Sequence, residues 1–116
     1  MDIYHIWCGL KPGIRDLEFV TRAERYFEHL KAEGLIAGYR IMRKKLGLAE
    51  STLGEFHIML ELEGLAQLDE VFKRVAARVE PIEGLHHGVN ALVQEPRFAL
   101  YRDFPDPVRQ SGQERF

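Results

Sequence analysis

Two histidines sit inside two short apolar runs, His5 in IYHIWC and His57 in EFHIML. Imidazole titrates near neutrality, so such a pair can bind an anion when protonated, hold a metal when neutral, or relay a proton. Both runs read as strands, and cross-strand neighbours place their Cβ atoms about 5 Å apart, within reach of each other's rings. His5 and His57 are therefore the candidate catalytic residues. The same alternation gathers Trp7, Arg40, Met42, Met59 and Glu61 on their side of the sheet, as candidate ligand-binding residues. Trp7 offers a flat apolar wall, with Met42 and Met59 as adaptable neighbours. Arg40 offers a planar fork for an acidic or enolate group. Asn90 and Tyr101, on the expected last strand, are further polar candidates, and Asn90 completes the binding set. The plainer alternative is that the histidines and the Trp–Met cluster fill an interface while Arg40 pairs with Glu61 or Glu55.

Other chemistries find less support. Glu61 lies four residues from His57, about 13 Å along a strand at roughly 3.3 Å per residue, too far to share an ion with it. Glu55 is nearer but needs strand distortion or a partner chain. His86 and His87 are sequential in an expected loop and tend to point apart, and His29 lies on the polar side of a helix, so no metal site is expected. Cys8 is the only cysteine, which leaves no internal disulfide and no cysteine-rich metal site. Neither a phosphate-cradling glycine motif nor a nucleophile elbow is present, and no cofactor is called for.

The elements that must position these residues follow from periodicity. Ile3 to Cys8 is a first strand, ending at Gly9-Leu10-Lys11-Pro12-Gly13, a turn-rich loop. Asp16 stands where a helix N-cap belongs. Val20, Ala23, Phe27 and Leu30 then recur at helical steps, flanked by Leu17, Phe19 and Tyr26, with Gly34 as the C-terminal cap. Leu35 to Leu46 reads as a second strand. Gly47 to Leu53 is a connection. In Glu55 to Leu62, the residues Phe56, Ile58, Leu60 and Leu62 alternate with Glu55, His57, Met59 and Glu61, which describes a strand with one fully apolar face. Leu65, Leu68, Phe72, Val75 and Val79, with Val71 and Ala76, form a second amphipathic helix bounded by Pro81. Ile82 to Gly88 is short and ambiguous, readable as one helical turn. Val89 to Val93 reads as a fourth strand, and Phe98 to Tyr101 either continues it past Pro96, at an edge or a bulge, or forms a separate piece. Residues 1–104 form the domain and 105–116 an irregular tail.

The order βαββαβ, with right-handed crossovers, predicts an α+β ferredoxin-like fold: a four-stranded antiparallel sheet of order 4-1-3-2 with two helices on one face. Tyr4, Ile6, Cys8, Tyr39 and Ile41 should join strand three's apolar set under the helices. The other face would carry Ile3, His5, Trp7, Arg40, Met42, Glu55, His57, Met59 and Glu61. That mixture of large apolar and ionisable groups is better covered than bare. Two such sheets packed face to face would bury the apolar members and enclose the polar ones, as a homodimeric barrel with an internal pocket.

At 116 residues, 46% hydrophobic and 29% charged, the chain has the make-up of one globular domain. A formal charge of −2 gives no general attraction to nucleic acid or anionic membrane. Arg43, Lys44 and Lys45 fall on an expected edge strand, where basic residues block sheet-to-sheet aggregation. RNA-recognition domains share this strand order, but GEFHIMLEL lacks their basic-Gly-aromatic pattern, so no RNA partner is expected. The opening residues lack a signal-peptide pattern, no apolar run is long enough to span a bilayer, and the expected location is cytoplasmic.

The segments IYHIWCGLKPG, LGEFHIMLELEGLAQLDEVF and FALYRDFPDP resemble an uncharacterised bacterial family of ferredoxin-like proteins related to the dimeric α/β-barrel superfamily. The resemblance runs from about Met1 to Pro107, and implies the fold and dimerisation without supplying a catalytic motif. The superfamily includes cofactor-independent monooxygenases, haem-degrading proteins, lactone isomerases and non-catalytic binding proteins. The resulting expectation is a homodimer that binds a small aromatic or anionic molecule in a pocket on the open sheet face, as a cofactor-independent oxygenase or isomerase or as a binding protein. The alternative is a structural or interaction dimer with a packed interface.

Overall fold

A computed structural model describes residues 1–106; most of the expected irregular tail lies outside them. The chain order is β1 (Asp2–Leu10), α1 (Asp16–Ala32), β2 (Gly38–Arg43), β3 (Phe56–Leu62), α2 (Leu65–Ala76), α3 (Ile82–Asn90) and β4 (Val93–Arg102). The strands form one antiparallel sheet in the order β2-β3-β1-β4, as the crossover argument predicts.

Helix α1 buries Phe19, Ala23, Tyr26, Phe27 and Leu30 against the sheet, while Leu17 faces solvent. Its stripe is thus centred nearer Phe19 and Tyr26 than the sequence suggested. The helix ends as expected at Gly34, whose φ of +72° is a left-handed conformation that glycine adopts without strain. The Leu35 N–H donates to the Leu30 carbonyl at 2.9 Å and the Gly34 N–H to the Lys31 carbonyl at 3.0 Å. Leu35 is thereby buried on Leu30, the apolar contact that accompanies this double bond. At the other end Asp16 is the first helical residue and not the N-cap; Arg15 holds the extended cap position. The Asp16 carboxylate turns instead to Arg43, 2.9 Å away.

Strand β3 shows the clearest patterning: Phe56, Ile58, Leu60 and Leu62 are all buried under the helices. Phe19, Leu30 and Leu62 lose essentially all contact with solvent, and each such burial is worth roughly 1.5–3 kcal/mol. Helix α2 stops at Ala76, so Val79 lies beyond it and is exposed.

Three expectations are corrected. The second strand is shorter than Leu35 to Leu46: Leu35 and Ile36 are buried in the connection, and the ladder begins at Gly38. The stretch after Pro81 is a full third helix. Ile82, Leu85 and Val89 recur at helical spacing and pack on the core, which overrides the β preference of Val89. His86, His87 and Asn90 are consequently helical, and the last strand starts only at Val93. The proline expectation holds on both counts. Strand β4 is an edge, and its register against β1 shifts between Trp7 and Gly9, opposite the segment containing Pro96. After that irregularity Phe98 pairs with Ile6 and Tyr101 with Ile3. Tyr101 therefore shares the open face with His5, and Phe98 shares the helix side with Ile6. Arg102 fastens the end of β4 to the buried carboxylate of Asp2 with bonds of 2.5 and 3.3 Å.

Candidate functional site: two faces of one sheet

On the open face, Trp7 pairs with His57 and His5 with Met59. His5 and His57 are thus diagonal neighbours, and their rings close the diagonal. His5 Nδ1 lies 2.9 Å from His57 Nε2. An N–H···N bond needs one hydrogen and one lone pair, so the pair keeps it with one imidazole neutral but not with both protonated. Trp7 stacks on His57 at 4.4 Å between centroids, and the Tyr101 ring meets His5 edge-on at 4.9 Å. Partial burial among these rings lowers both imidazole pKa values, and the charge of His5 lowers that of His57 further.

The remaining expected residues spread outward from this stack. Met42 pairs with His57, and Arg40 with Met59. Glu61 pairs with Ile3 and Gly38, and its carboxylate lies over Gly38, where a Cβ would come within 3.1 Å of it. Glu55 does not join the group: Arg43 draws it to the sheet edge at 2.7 Å and also holds Asp16. Among the described residues Arg40 makes no ion pair, so neither suggested partner, Glu61 or Glu55, holds it. Asn90 is on the far side of the sheet, on α3. No cluster of three or more potential metal ligands occurs among the described residues.

A partly open apolar space lies on that far side. A cavity of about 180 Å³ opens between the sheet and the three helices. Its walls are mostly apolar, from Ile58 and Leu60 of β3 to Val71 and Val75 of α2 and Val89 of α3. Phe72 and Phe98, respectively 49% and 57% exposed, mark its mouth. Tyr4 stacks on Phe98 at 5.9 Å and meets Phe72 edge-on at 5.6 Å, so three aromatic rings frame the entrance. Deeper in, Tyr26 is buried against Phe27 and His86.

Four polar side chains reach this lining: Tyr4, Tyr26, His86 and Asn90. His86 and Asn90 are four residues apart on α3, hence on one helix face. Among the described residues the only tyrosine hydroxyl with a hydrogen-bond partner is that of Tyr39, on Glu28 at 2.8 Å. The hydroxyls of Tyr4 and Tyr26 are left without one. Burial raises both phenols, that of Tyr26 to about 12, so they stand as neutral donors at physiological pH. Cys8 also lines the cavity, but burial pushes its thiol up to about 11, which keeps it from acting as a thiolate nucleophile.

Sequence reasoning found the open-face stack and, of the cavity, only Asn90. The missed signals were available. Tyr26 stands in a helix's core stripe, where a phenol needs a partner for its hydroxyl. The His86–Asn90 spacing becomes visible once α3 is recognised.

A family model matches residues 1–116, the whole chain. The chain belongs to the family of unknown function DUF6614. No curated protein matches this DUF6614 chain. Its fold is shared with several solved structures. One is an antibiotic biosynthesis monooxygenase, 20% identical, with 90% of this chain and 100% of that one covered at a TM-score of 0.63. Another is SnoaB, a cofactor-independent oxygenase from Streptomyces nogalater, 9% identical over 93% of this chain and 97% of that one, TM-score 0.65. A third is a dimeric ferredoxin-like protein of unknown function from Jannaschia sp. CCS1, 13% identical over 89% and 100%, TM-score 0.61. At such identities the likeness establishes the α+β ferredoxin-like fold of this DUF6614 chain and leaves its chemistry to its own residues.

Proposed function

We propose that this protein is a homodimer, paired through its open sheet face, that binds a small aromatic molecule in the cavity between helices and sheet. One observation carries the reading: an apolar, aromatic-framed space whose lining includes two unpartnered, neutral phenol hydroxyls. A concave apolar site with a few convergent polar groups is the usual form of a small-molecule site. Neither hydroxyl is sealed from solvent, so each is free to bond water or a polar substituent on an occupant. The pairing of two copies is supported by the stack of Trp7, His5, His57 and Tyr101 on the uncovered face, and by the dimeric state of the Jannaschia protein. Catalysis without a bound cofactor, as an oxygenase or isomerase, is the enzymatic form of the same proposal; SnoaB is an oxygenase of this fold.

A second reading places the ligand on the open face, between paired sheets, against His5, His57, Trp7, Arg40, Met42, Met59 and Glu61. The flat stack of Trp7 on His57 favours it, since a planar ligand could extend that stack. Thermal denaturation with toluene, p-cresol and 2-naphthol separates the two. Under the first reading at least one of them raises Tm; Val75→Phe, which pushes a ring into the cavity, abolishes the gain, and Trp7→Ala retains it. Stabilisation lost in Trp7→Ala but kept in Val75→Phe would move the ligand to the open face. No stabilisation by any of the three would overturn both.

A further inference from the structure

Resting on the cavity reading above, we infer that the ligand is a single six-membered aromatic ring bearing one hydroxyl-type substituent, and not a fused polycycle. Volume carries the first half. An apolar protein cavity of about 150 Å³ binds benzene, and the space here is about 180 Å³. Within the walls the surplus accommodates one or two small substituents, and additional rings would have to project past Phe72 and Phe98 into solvent, where they gain little burial. The walls leave little room to grow: Cys8, Tyr26, Phe27, Leu30, Ile58 and Leu62 are all buried core residues fixed by α1 and β3. Close-packed interiors resist such enlargement.

The second half rests on the polar groups. Tyr4 and Tyr26 present hydroxyls that both donate and accept, and the amide of Asn90 does likewise from α3. Among the described residues no lysine or arginine lines the cavity and His86 is its one imidazole, so a carboxylate or phosphate there has no fixed counter-charge, and burial without one is strongly unfavourable. The matching substituent is neutral and hydrogen-bonding: a phenol or benzylic alcohol. This narrows the aromatic-or-anionic class suggested by the sequence to its uncharged members.

Isothermal titration with four probes tests the inference: toluene, p-cresol, benzoate and 1-hydroxyanthraquinone. The expected order is p-cresol first, toluene about tenfold weaker, and no measurable binding of benzoate or the three-ring quinone. The paired substitutions Tyr4→Phe and Tyr26→Phe, which delete only two oxygens, should bring p-cresol down to the level of toluene without weakening toluene. Equal affinity of p-cresol and toluene in the unaltered protein would overturn the hydroxyl half. Binding of the three-ring quinone or of benzoate as tightly as p-cresol would overturn the size or charge half, while leaving the cavity in place as a site. Binding of none of the four would instead remove the cavity reading itself.

Discussion

Replacing both His5 and His57 by Phe should flatten the acid side of the protein's stability curve. The two rings share one hydrogen bond of 2.9 Å, and burial holds both pKa values below the ordinary value of 6.5. Unfolded, each imidazole takes a proton as pH falls through 6.5. Folded, the pair takes at most one without losing its bond, so the unfolded chain binds at least one more proton. Stability is then fully present above pH 6.5 and is lost as pH falls toward the lowered folded values. A full proton of difference would correspond to about 1.4 kcal/mol per pH unit, and because both rings are only partly buried, solvent screening makes the actual slope smaller. Over the unit from 6.5 to 5.5 the loss therefore stays within the net worth of an ordinary hydrogen bond, about 0.5–1.5 kcal/mol. Urea denaturation between pH 7.5 and 5 on both proteins measures it. The double variant keeps rings against Trp7 and Tyr101, and the contributions of His29, His86 and His87 cancel in the difference. Parallel curves for the two proteins would refute the reasoning.

Other consequences are read on single substitutions. A Cβ at Gly54 would stand 2.4 Å from the Cys8 carbonyl carbon, which is backbone and cannot swing away. Gly54→Ala should therefore destabilise by at least the roughly 1–3 kcal/mol of overpacking, by urea denaturation, whereas Gly64→Ala meets nothing within 4 Å and should change stability far less. Leu62→Ala empties a site with 0% exposure and should lower stability by about 2–5 kcal/mol in the same assay. Arg102 holds the Asp2 carboxyl below its usual range, so Arg102→Ala should lower Tm at pH 7, with the loss shrinking as pH drops through the Asp2 pKa and the carboxylate protonates. Met59→Glu puts a charge between His5 and Arg40 at the middle of the open face and should leave a monomer by light scattering at micromolar concentration.

The parts legible in sequence were those where one physical signal dominates. Alternation in Phe56 to Leu62 set β3 and its facing without ambiguity, and the same parity placed His5, His57 and Trp7 together before any coordinate did. Gly34 marked the end of α1 because a left-handed residue is needed there. The misses fell where signals compete. Ile82 to Val93 carries helical spacing and β-branched residues at once, and only packing on the core decides for helix up to Asn90. That one error concealed both the His86–Asn90 face and the third helix. The cavity was illegible for a different reason: it arises from how α1, α2, α3 and the sheet fail to meet, and no residue pattern encodes a gap. Tyr4 and Tyr26 looked like core, and they are core, with hydroxyls left over.

The most direct test is the position of a bound probe. Intermolecular nuclear Overhauser effects from the p-cresol methyl and ring protons, recorded at saturating concentration, should fall on the methyl groups of Ile58, Val71, Val75 and Val89. Effects confined to the Trp7 indole and the His57 ring would contradict a ligand held beneath the helices.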